Sequence, residues 1–277
     1  MRHAGGPDRE PPPALPRDPD RGPAPDTVRF AVGRVEVACD ASIAGAVREM
    51  LAAGTLYDYA SRHPAARPFA GRGVAYAIPL PGLPDRAVVR HNRHGGLLAS
   101  VTGDIFLAPT RAPLELQVSH RLRANGVATP VVLAYAVYPA PLGLRRADVL
   151  TREIPSSFDL SAALMSDDAE RRRAALAATA KLVRSLSAAG ARHADLNVKN
   201  VLLHASPHEP NALEALVLDL DRVTFGAPDR VVDLNLARLL RSARKWRERH
   251  GARVTQAELD ELARMVRAPL ATASTSS

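Results

Sequence analysis

The sequence contains few of the features that define several large protein classes. Cys39 is the only cysteine among 277 residues, which excludes an intramolecular disulfide and a cysteine-rich zinc site. No apolar run approaches the roughly 18–20 residues that a membrane-spanning helix needs. Residues 1–20 also lack the apolar core of a secretory signal. We therefore expect a cytosolic protein.

Lysine is also scarce, although the chain is basic. The net charge is +8, and Lys181, Lys199 and Lys245 are the only lysines among 37 basic residues. An arginine surplus suits phosphate-bearing partners, anionic membrane surfaces or nucleic acid, and its plainer interpretation is a solvated arginine-rich surface. The sequence matches no zinc-finger, basic-zipper or RNA-recognition signature, so we predict no nucleic-acid partner.

The composition predicts an ordered centre between two tails. Residues 1–26 contain eight prolines among charged residues and glycines, which predicts a disordered tail. Residues 269–277, which end in "TASTSS", are likewise predicted to be a disordered tail. Between the tails, a hydrophobic content of 46% is ordinary for a globular protein.

The first half of the ordered region is rich in predicted strands. Strand patterns occur in "TVRFAVGRVEVACD", "GVAYAIPL", "DRAVVRH", "VVLAYAVYP" and "ADVLTREIP". Two helices interrupt them, at residues 42–54 and 112–126, and the second has Leu114, Val118 and Leu122 on one stripe.

The second half is predicted to be helical. A long helix covers 166–190 and ends at Gly190, and "VVDLNLARLLRSARKWRERHG" predicts another. Thr255 and Glu258 then have the spacing of a capping box. We predict an α+β fold with a β-rich lobe at 27–152, a helical lobe at 153–268 and a hinge near 151–156.

Polar residues cluster beside two apolar segments at the start of the helical lobe. His193, Asp195 and Asn200 lie in "RHADLNVKNVLLH", and Asp219 follows in "VLDLDR". Carboxylate and amide oxygens are the ligands that Mg²⁺ prefers, and phosphoryl transfer needs a group that orients the attacking hydroxyl. The plainer interpretation is two polar turns that flank buried strands.

These motifs resemble the protein-kinase-like fold, and specifically the lipopolysaccharide kinases that phosphorylate 3-deoxy-D-manno-octulosonic acid (Kdo). "AVVRHNRHGGLLA", "RAPLELQVSHRLRANGVATPVVLAYAV" and "DLNLARLLRSARKW" are similar to further segments of that family. The resemblance covers roughly residues 66–250. It implies a bilobal fold with a β-rich N-terminal lobe and a helical C-terminal lobe.

The resemblance also implies roles for individual residues. Asp195 matches the catalytic base, and Asn200 and Asp219 match the Mg²⁺ ligands. Glu115 matches the helix glutamate that holds the phosphate-binding cation, which is Arg90 here. Glu115 as a solvated surface residue and Arg90 as an ordinary strand arginine are the alternatives.

Two glycines and a short segment complete the nucleotide site that the resemblance implies. Gly71 and Gly73 in "AGRGVAYAI" stand where backbone N–H groups would approach the phosphates. Residues 151–154 would form the edge that meets adenine. Asn92 and His94 depart from the family pattern, as does Ala194, which replaces the arginine of the protein-kinase triplet.

The implied function is an ATP- and Mg²⁺-dependent kinase acting on a Kdo-bearing lipid A precursor, peripherally on the cytoplasmic face of the inner membrane. The alternatives are a phosphotransferase with another small hydroxyl acceptor, an atypical protein kinase, or a nucleotide-binding pseudokinase scaffold. No "APE"-like segment follows Asp219, which favours a small-molecule or glycolipid acceptor over a protein.

Two further residues have alternative interpretations. His193 is interpreted as a brace for the loop rather than a catalytic group. Asp221 is either a group beside the metal ligand Asp219 or an ion-pair partner of Arg222.

Overall fold

The computed structural model describes residues 26–69, 74–84, 86–91, 110–206, 209 and 212–268. Residues 1–25 of the predicted tail at 1–26 and the whole predicted tail at 269–277 lie outside these residues, whereas the Asp26 carbonyl accepts from the Ala41 N–H. Gly71, Gly73, Asn92 and His94 also lie outside the described residues. Within the described part of the chain, no helix is both long enough and apolar enough to cross a membrane.

The N-terminal lobe is built on one seven-stranded sheet in which every neighbouring pair is antiparallel. The spatial order is β1-β2-β6-β7-β5-β4-β3. The strands are β1 (Thr27–Val32), β2 (Val35–Asp40), β3 (Arg67–Phe69), β4 (Ala75–Pro79), β5 (Arg86–His91), β6 (Val132–Pro139) and β7 (Arg145–Arg152).

Helices cover both faces of this sheet. On one face α1 (Ala44–Ala52) and α2 (Leu56–Arg62) bury Met50 and Leu56 against Ile78 and Leu133. On the other face α3 (Ala112–Ala124) packs Leu116 on the sheet. Because successive side chains of a strand point to opposite faces, β6 contributes residues to the apolar core on each face of the sheet. Helix α2 was not predicted from the sequence.

Helix α3 packs against both lobes. Its buried face therefore differs from the apolar stripe predicted from the sequence. Leu116 packs on the sheet, whereas Val118 and Leu122 belong to the core of the C-terminal lobe. Leu114 remains 44% exposed, so its assignment to the buried stripe was wrong. The buried face instead includes Glu115, since the sheet and the other lobe cover the helix from different sides.

The C-terminal lobe is mainly helical, with two small antiparallel sheets. Its elements are α4 (Leu160–Met165), α5 (Ala169–Ala188), α6 (Pro228–His250), α7 (Gln256–Arg267), β8 (Phe158–Asp159), β9 (Ala191–His193), β10 (Val201–Ala205), β11 (Leu213–Val217) and β12 (Val223–Phe225). One sheet has the order β11-β10-β8, and the other pairs β12 with β9.

Several helix ends follow the local sequence signals. Helix α5 begins after Asp168, whose carboxylate accepts from the N–H groups of Glu170 and Arg171, so it starts later than the predicted residue 166. It is followed by Gly190 at φ +63°. Helix α7 has the predicted capping box of Thr255 and Glu258.

We retain the predicted lobe boundary at residues 152 and 153 as a proposal. Strand β7 ends at Arg152, and the next strand, β8, pairs with β10 of the C-terminal lobe. Between them, the carboxylate of Glu153 accepts from Arg67 and Arg86, which ties the start of the linker to the N-terminal sheet.

Candidate active site

The segment between β9 and β10 is anchored by apolar residues and by His193. Leu196 and Val198 are fully buried in the core of the C-terminal lobe. The His193 backbone N–H donates to Asn235 Oδ1 at 3.0 Å. In the His193 ring, Nε2 lies 2.8 Å from the Leu218 carbonyl oxygen and Nδ1 lies 3.2 Å from the Asp195 backbone nitrogen.

These contacts define the protonation state and the role of His193. A neutral ring that donates from Nε2 and accepts at Nδ1 satisfies both partners. Burial lowers the pKa of His193, which favours the same neutral form. His193 therefore links the Asp195 backbone to the segment that precedes Asp219, in agreement with its interpretation as a brace.

Asp195 and Asn200 are held together by side-chain to backbone hydrogen bonds. Asn200 Nδ2 donates to the Asp195 carbonyl at 2.9 Å, and Asn197 Nδ2 donates to the same oxygen at 3.0 Å. The Leu218 N–H donates to the Asn200 carbonyl at 2.9 Å. Because the Asn200 amide nitrogen makes the inward bond, its amide oxygen is the atom that can face a cation.

Asp219 lies two residues beyond the end of β11 in an unusual backbone conformation. Its φ of +62° places a non-glycine residue in the left-handed region, where strain is often found at functional sites. Burial and then repulsion from Asp221 raise the pKa of Asp219 to about 6, although Arg90 opposes the shift. A carboxylate that is destabilised in this way gains from a bound cation.

Asp221 has a partner that the sequence did not suggest, in addition to the predicted ion pair with Arg222. Arg111 Nη1, at the start of α3, donates to Asp221 Oδ2 at 2.7 Å. Arg222 Nε is 4.0 Å from the other oxygen, which has no hydrogen-bond partner among the described residues. The Asp221 carboxylate therefore links α3 to the segment that carries Asp219.

Arg90 on β5 forms an ion pair with Glu115 on α3. The Glu115 side chain is only 5% exposed, so its alternative interpretation as a solvated surface residue was wrong. Burial by itself lowers the pKa of Arg90, but attraction from Glu115, Asp219 and Asp221 outweighs it and raises the pKa. Arg90 is thus close enough to Asp219 and Asp221 for their carboxylates to contribute to its raised pKa.

The structure adds three residues that sequence reasoning did not assign to the site. Asn235 on α6 holds both ends of β9, since its amide also donates to the Ala191 carbonyl at 2.9 Å. Arg238, one turn further along α6, forms an ion pair with Asp195 Oδ1. Arg111 was missed as the partner of Asp221. No local pattern marks these residues, because their partners are distant in the sequence.

Comparison with known proteins identifies the family. Residues 82–267 match the model of the Lipopolysaccharide kinase (Kdo/WaaP) family. The chain belongs to this family. As a member of the Kdo/WaaP kinase family, it is a phosphotransferase that acts on a hydroxyl group. The matched range contains Arg90, Glu115, Asp195, Asn200 and Asp219, and it excludes Gly71 and Gly73.

Curated relatives and a solved structure agree with this assignment. The chain is 32% identical over 203 residues to a 3-deoxy-D-manno-octulosonic acid kinase of Actinobacillus succinogenes, which covers 69% of this chain and 80% of the relative. It is also 32% identical to the enzyme of that name from Stenotrophomonas maltophilia, covering 70% of this chain and 75% of the relative. The structure of WaaP in complex with acyl carrier protein aligns with a TM-score of 0.51 at 20% identity, covering 80% of this chain and 86% of WaaP. The protein-kinase-like α+β fold, with its two lobes, is thereby confirmed.

Proposed function

We propose that this kinase transfers the γ-phosphoryl group of ATP to the 4-hydroxyl of Kdo in the lipopolysaccharide inner core or a lipid A precursor. One observation carries the proposal: hydrogen bonds through His193 and Leu218 hold Asp195, Asn200 and Asp219 in one polar cluster. Such a set suits phosphoryl transfer, where positioning and charge neutralisation provide most of the catalysis.

In this proposal Asp195 accepts the proton of the attacking hydroxyl. The hydroxyl oxygen bonds to the γ-phosphorus, and the bond from that phosphorus to the β–γ bridging oxygen breaks, so that ADP leaves. Arg238 forms an ion pair with Asp195 Oδ1, which holds the carboxylate in place to orient the hydroxyl through a hydrogen bond. Arg90, held by Glu115, is proposed to bind the phosphates, with Gly71 and Gly73 approaching them from the glycine-rich loop.

The donor set fits a magnesium ion. The Asn200 amide oxygen and the Asp219 carboxylate are hard oxygen ligands, and Mg²⁺ is commonly held by one or two carboxylates together with substrate phosphates and water. The raised pKa of Asp219 and the Asp221 oxygen that accepts no hydrogen bond indicate negative charge that is not fully balanced by the described residues. When bound, Mg²⁺ would neutralise the charge that develops on the transferred phosphoryl group.

The surface charge supports a peripheral position at the cytoplasmic face of the inner membrane. A net charge of +8, nearly all from arginine, favours an anionic bilayer, to which each nearby cation contributes about 1 kcal/mol. The Kdo-bearing acceptor would be reached from that surface. A phosphotransferase with another small acceptor, an atypical protein kinase and a pseudokinase scaffold are the competing proposals.

The test is ATP-dependent phosphorylation of a Kdo-bearing lipid A precursor by the wild type and by Asp195→Ala. Loss of the positioned base should reduce turnover about 10²- to 10⁴-fold, while Mg²⁺-ATP binding persists. Saturable nucleotide binding without phosphorylation of this acceptor by the wild type would contradict the Kdo assignment, and screening other hydroxyl compounds would then separate another acceptor from a scaffold. Absence of nucleotide binding would contradict ATP as the donor.

A further inference from the structure

The ion pair between Arg238 and Asp195 lies at an accessible position. The Arg238 side chain is 42% exposed and the Asp195 side chain is 23% exposed. Arg238 therefore does not serve only to neutralise a buried carboxylate. Its guanidinium has five N–H donors in a planar fork, and the contact with Asp195 Oδ1 uses Nη2.

Helix α6 fixes the place of Arg238 relative to residues 194–200 between β9 and β10, which contain Asp195 and Asn200 and are called the catalytic segment below. Arg238, Ser242 and Trp246 follow one another at intervals of four residues, so they share one face of the helix. Ser242 Oγ accepts from the Val198 N–H at 3.2 Å, and Lys199 Nζ lies 5.1 Å from the centre of the Trp246 ring. These contacts pack the catalytic segment against the face of α6 that carries Arg238. The helix therefore fixes the position of the Arg238 backbone beside that segment.

The surroundings of Arg238 are basic. Arg241 and Lys245 are exposed and lie three and seven residues further along α6, beside the same face. Lys199 in the catalytic segment adds another cation, although it also pairs with Asp159 at 2.9 Å. An acceptor that approaches Asp195 from this side meets positive charge, which favours an anionic molecule.

We propose that Arg238 recognises the carboxylate of an acidic sugar acceptor and thereby places a ring hydroxyl of that sugar against Asp195. The proposal rests on the proposed function and adds a residue for acceptor recognition. In Kdo the carboxylate is attached to C2 and the reacting hydroxyl to C4, so the two groups stand on ring carbons that only one other carbon separates. Because Arg238 contacts Asp195 directly, its remaining donors lie within the reach of a single sugar. A guanidinium pairs with carboxylates through two parallel hydrogen bonds, which would also orient the ring.

The experiment combines variants of the full chain with modified acceptors. Wild type, Arg238→Ala and Arg238→Lys are assayed with the Kdo-bearing acceptor and with its carboxamide derivative. Arg244→Ala is the matched control, because Arg244 is an exposed arginine on the same helix but on a face away from the catalytic segment. The KM for acceptor and the KM for ATP are measured separately, and thermal unfolding checks each variant.

We expect Arg238→Ala to raise the KM for the native acceptor about 10- to 100-fold, the loss typical of hydrogen bonds to a charged partner. For the wild type, the KM for the carboxamide should exceed the KM for the native acceptor by a similar factor. For Arg238→Ala the two KM values should differ by less than about threefold, because the guanidinium that would bind the carboxylate is already absent. Arg238→Lys should restore part of the discrimination, because it keeps the charge and loses the fork. Arg244→Ala should behave as the wild type.

Three results would overturn the proposal. Equal discrimination between carboxylate and carboxamide by wild type and Arg238→Ala would show that another group recognises the carboxylate. A rise in the KM for ATP as large as that for the acceptor would assign Arg238 to nucleotide phosphate. A wild type that prefers neither acceptor would exclude carboxylate recognition without any mutation, so this arm stands even if Arg238→Ala fails to fold. Failure of the proposed function is distinct, since the wild type would then phosphorylate neither compound.

Discussion

Replacement of Gly190 by alanine should be far more damaging than the same change at Gly251. Both glycines follow a helix and adopt left-handed conformations, with φ of +63° and +68°. At Gly251 an added Cβ would meet nothing within 4 Å, whereas at Gly190 it would lie 2.3 Å from the carbonyl oxygen of Gly226. The pair therefore separates backbone strain from a steric clash.

The expected magnitudes follow from these geometries. The left-handed conformation alone should cost about 1 kcal/mol at either position. At Gly190 the chain must also move away from Gly226, whose N–H donates to the Gly190 carbonyl at 2.8 Å. Losing that bond costs about 1 kcal/mol and relieving the overpacking about 1–3 kcal/mol. Gly190→Ala should therefore destabilise the protein by about 3–5 kcal/mol.

The clash at Gly190 also concerns the candidate active site, because β9 begins at the next residue. Strand β9 pairs with β12 through Val223 and His193, and His193 contacts the Asp195 backbone. Urea denaturation of wild type, Gly190→Ala and Gly251→Ala gives the three free energies of unfolding. A Gly190→Ala variant that is no less stable than Gly251→Ala would refute the reasoning, since both would then report only backbone strain.

Two further predictions concern the N-cap of α7 and the proposed metal site. Thr255→Ala removes the N-cap of α7 and should lower the free energy of unfolding by about 1 kcal/mol, which corresponds to a fall in Tm of about 2–4 °C. Thr255→Ser should retain most of the cap. Equal Tm values for the wild type and both variants in thermal unfolding would contradict the role of the cap. Because the raised pKa of Asp219 is about 6, and only the ionised carboxylate binds Mg²⁺, the affinity for Mg²⁺-nucleotide should decrease as the pH falls through 6. Asp221→Asn removes a repulsive charge and should move this transition to lower pH, which titration with a fluorescent ATP analogue at several pH values would measure. An unchanged transition would show that Asp221 does not control Asp219.

Local features of the structure could be predicted because they depend on residues that are neighbours in the chain. Thr255 and Glu258 cap one helix across three residues, and Gly190 ends another because it adopts a conformation that costs other residues energy. The spacing of Asp195 and Asn200 is likewise local. The ion pair between Arg90 and Glu115 was expected from family resemblance, since no spacing rule joins a strand to a helix across 25 residues.

Contacts between distant segments were decided only by the tertiary structure. Arg238 meets Asp195 across 43 residues, and Arg111 meets Asp221 across 110. The degree of burial of Leu114 also could not be predicted from local sequence. The apolar stripe of a helix predicts its buried face only when one partner covers the helix. Helix α3 is covered by the N-terminal sheet and by the C-terminal lobe from different directions. The sequence by itself determined the Gly190 end of α5, the capping box of α7, most of the strands and the polar residues between β9 and β10. The fold decided which charges pair in the cleft, because such pairing depends on how whole elements pack and not on the order of residues along any one of them.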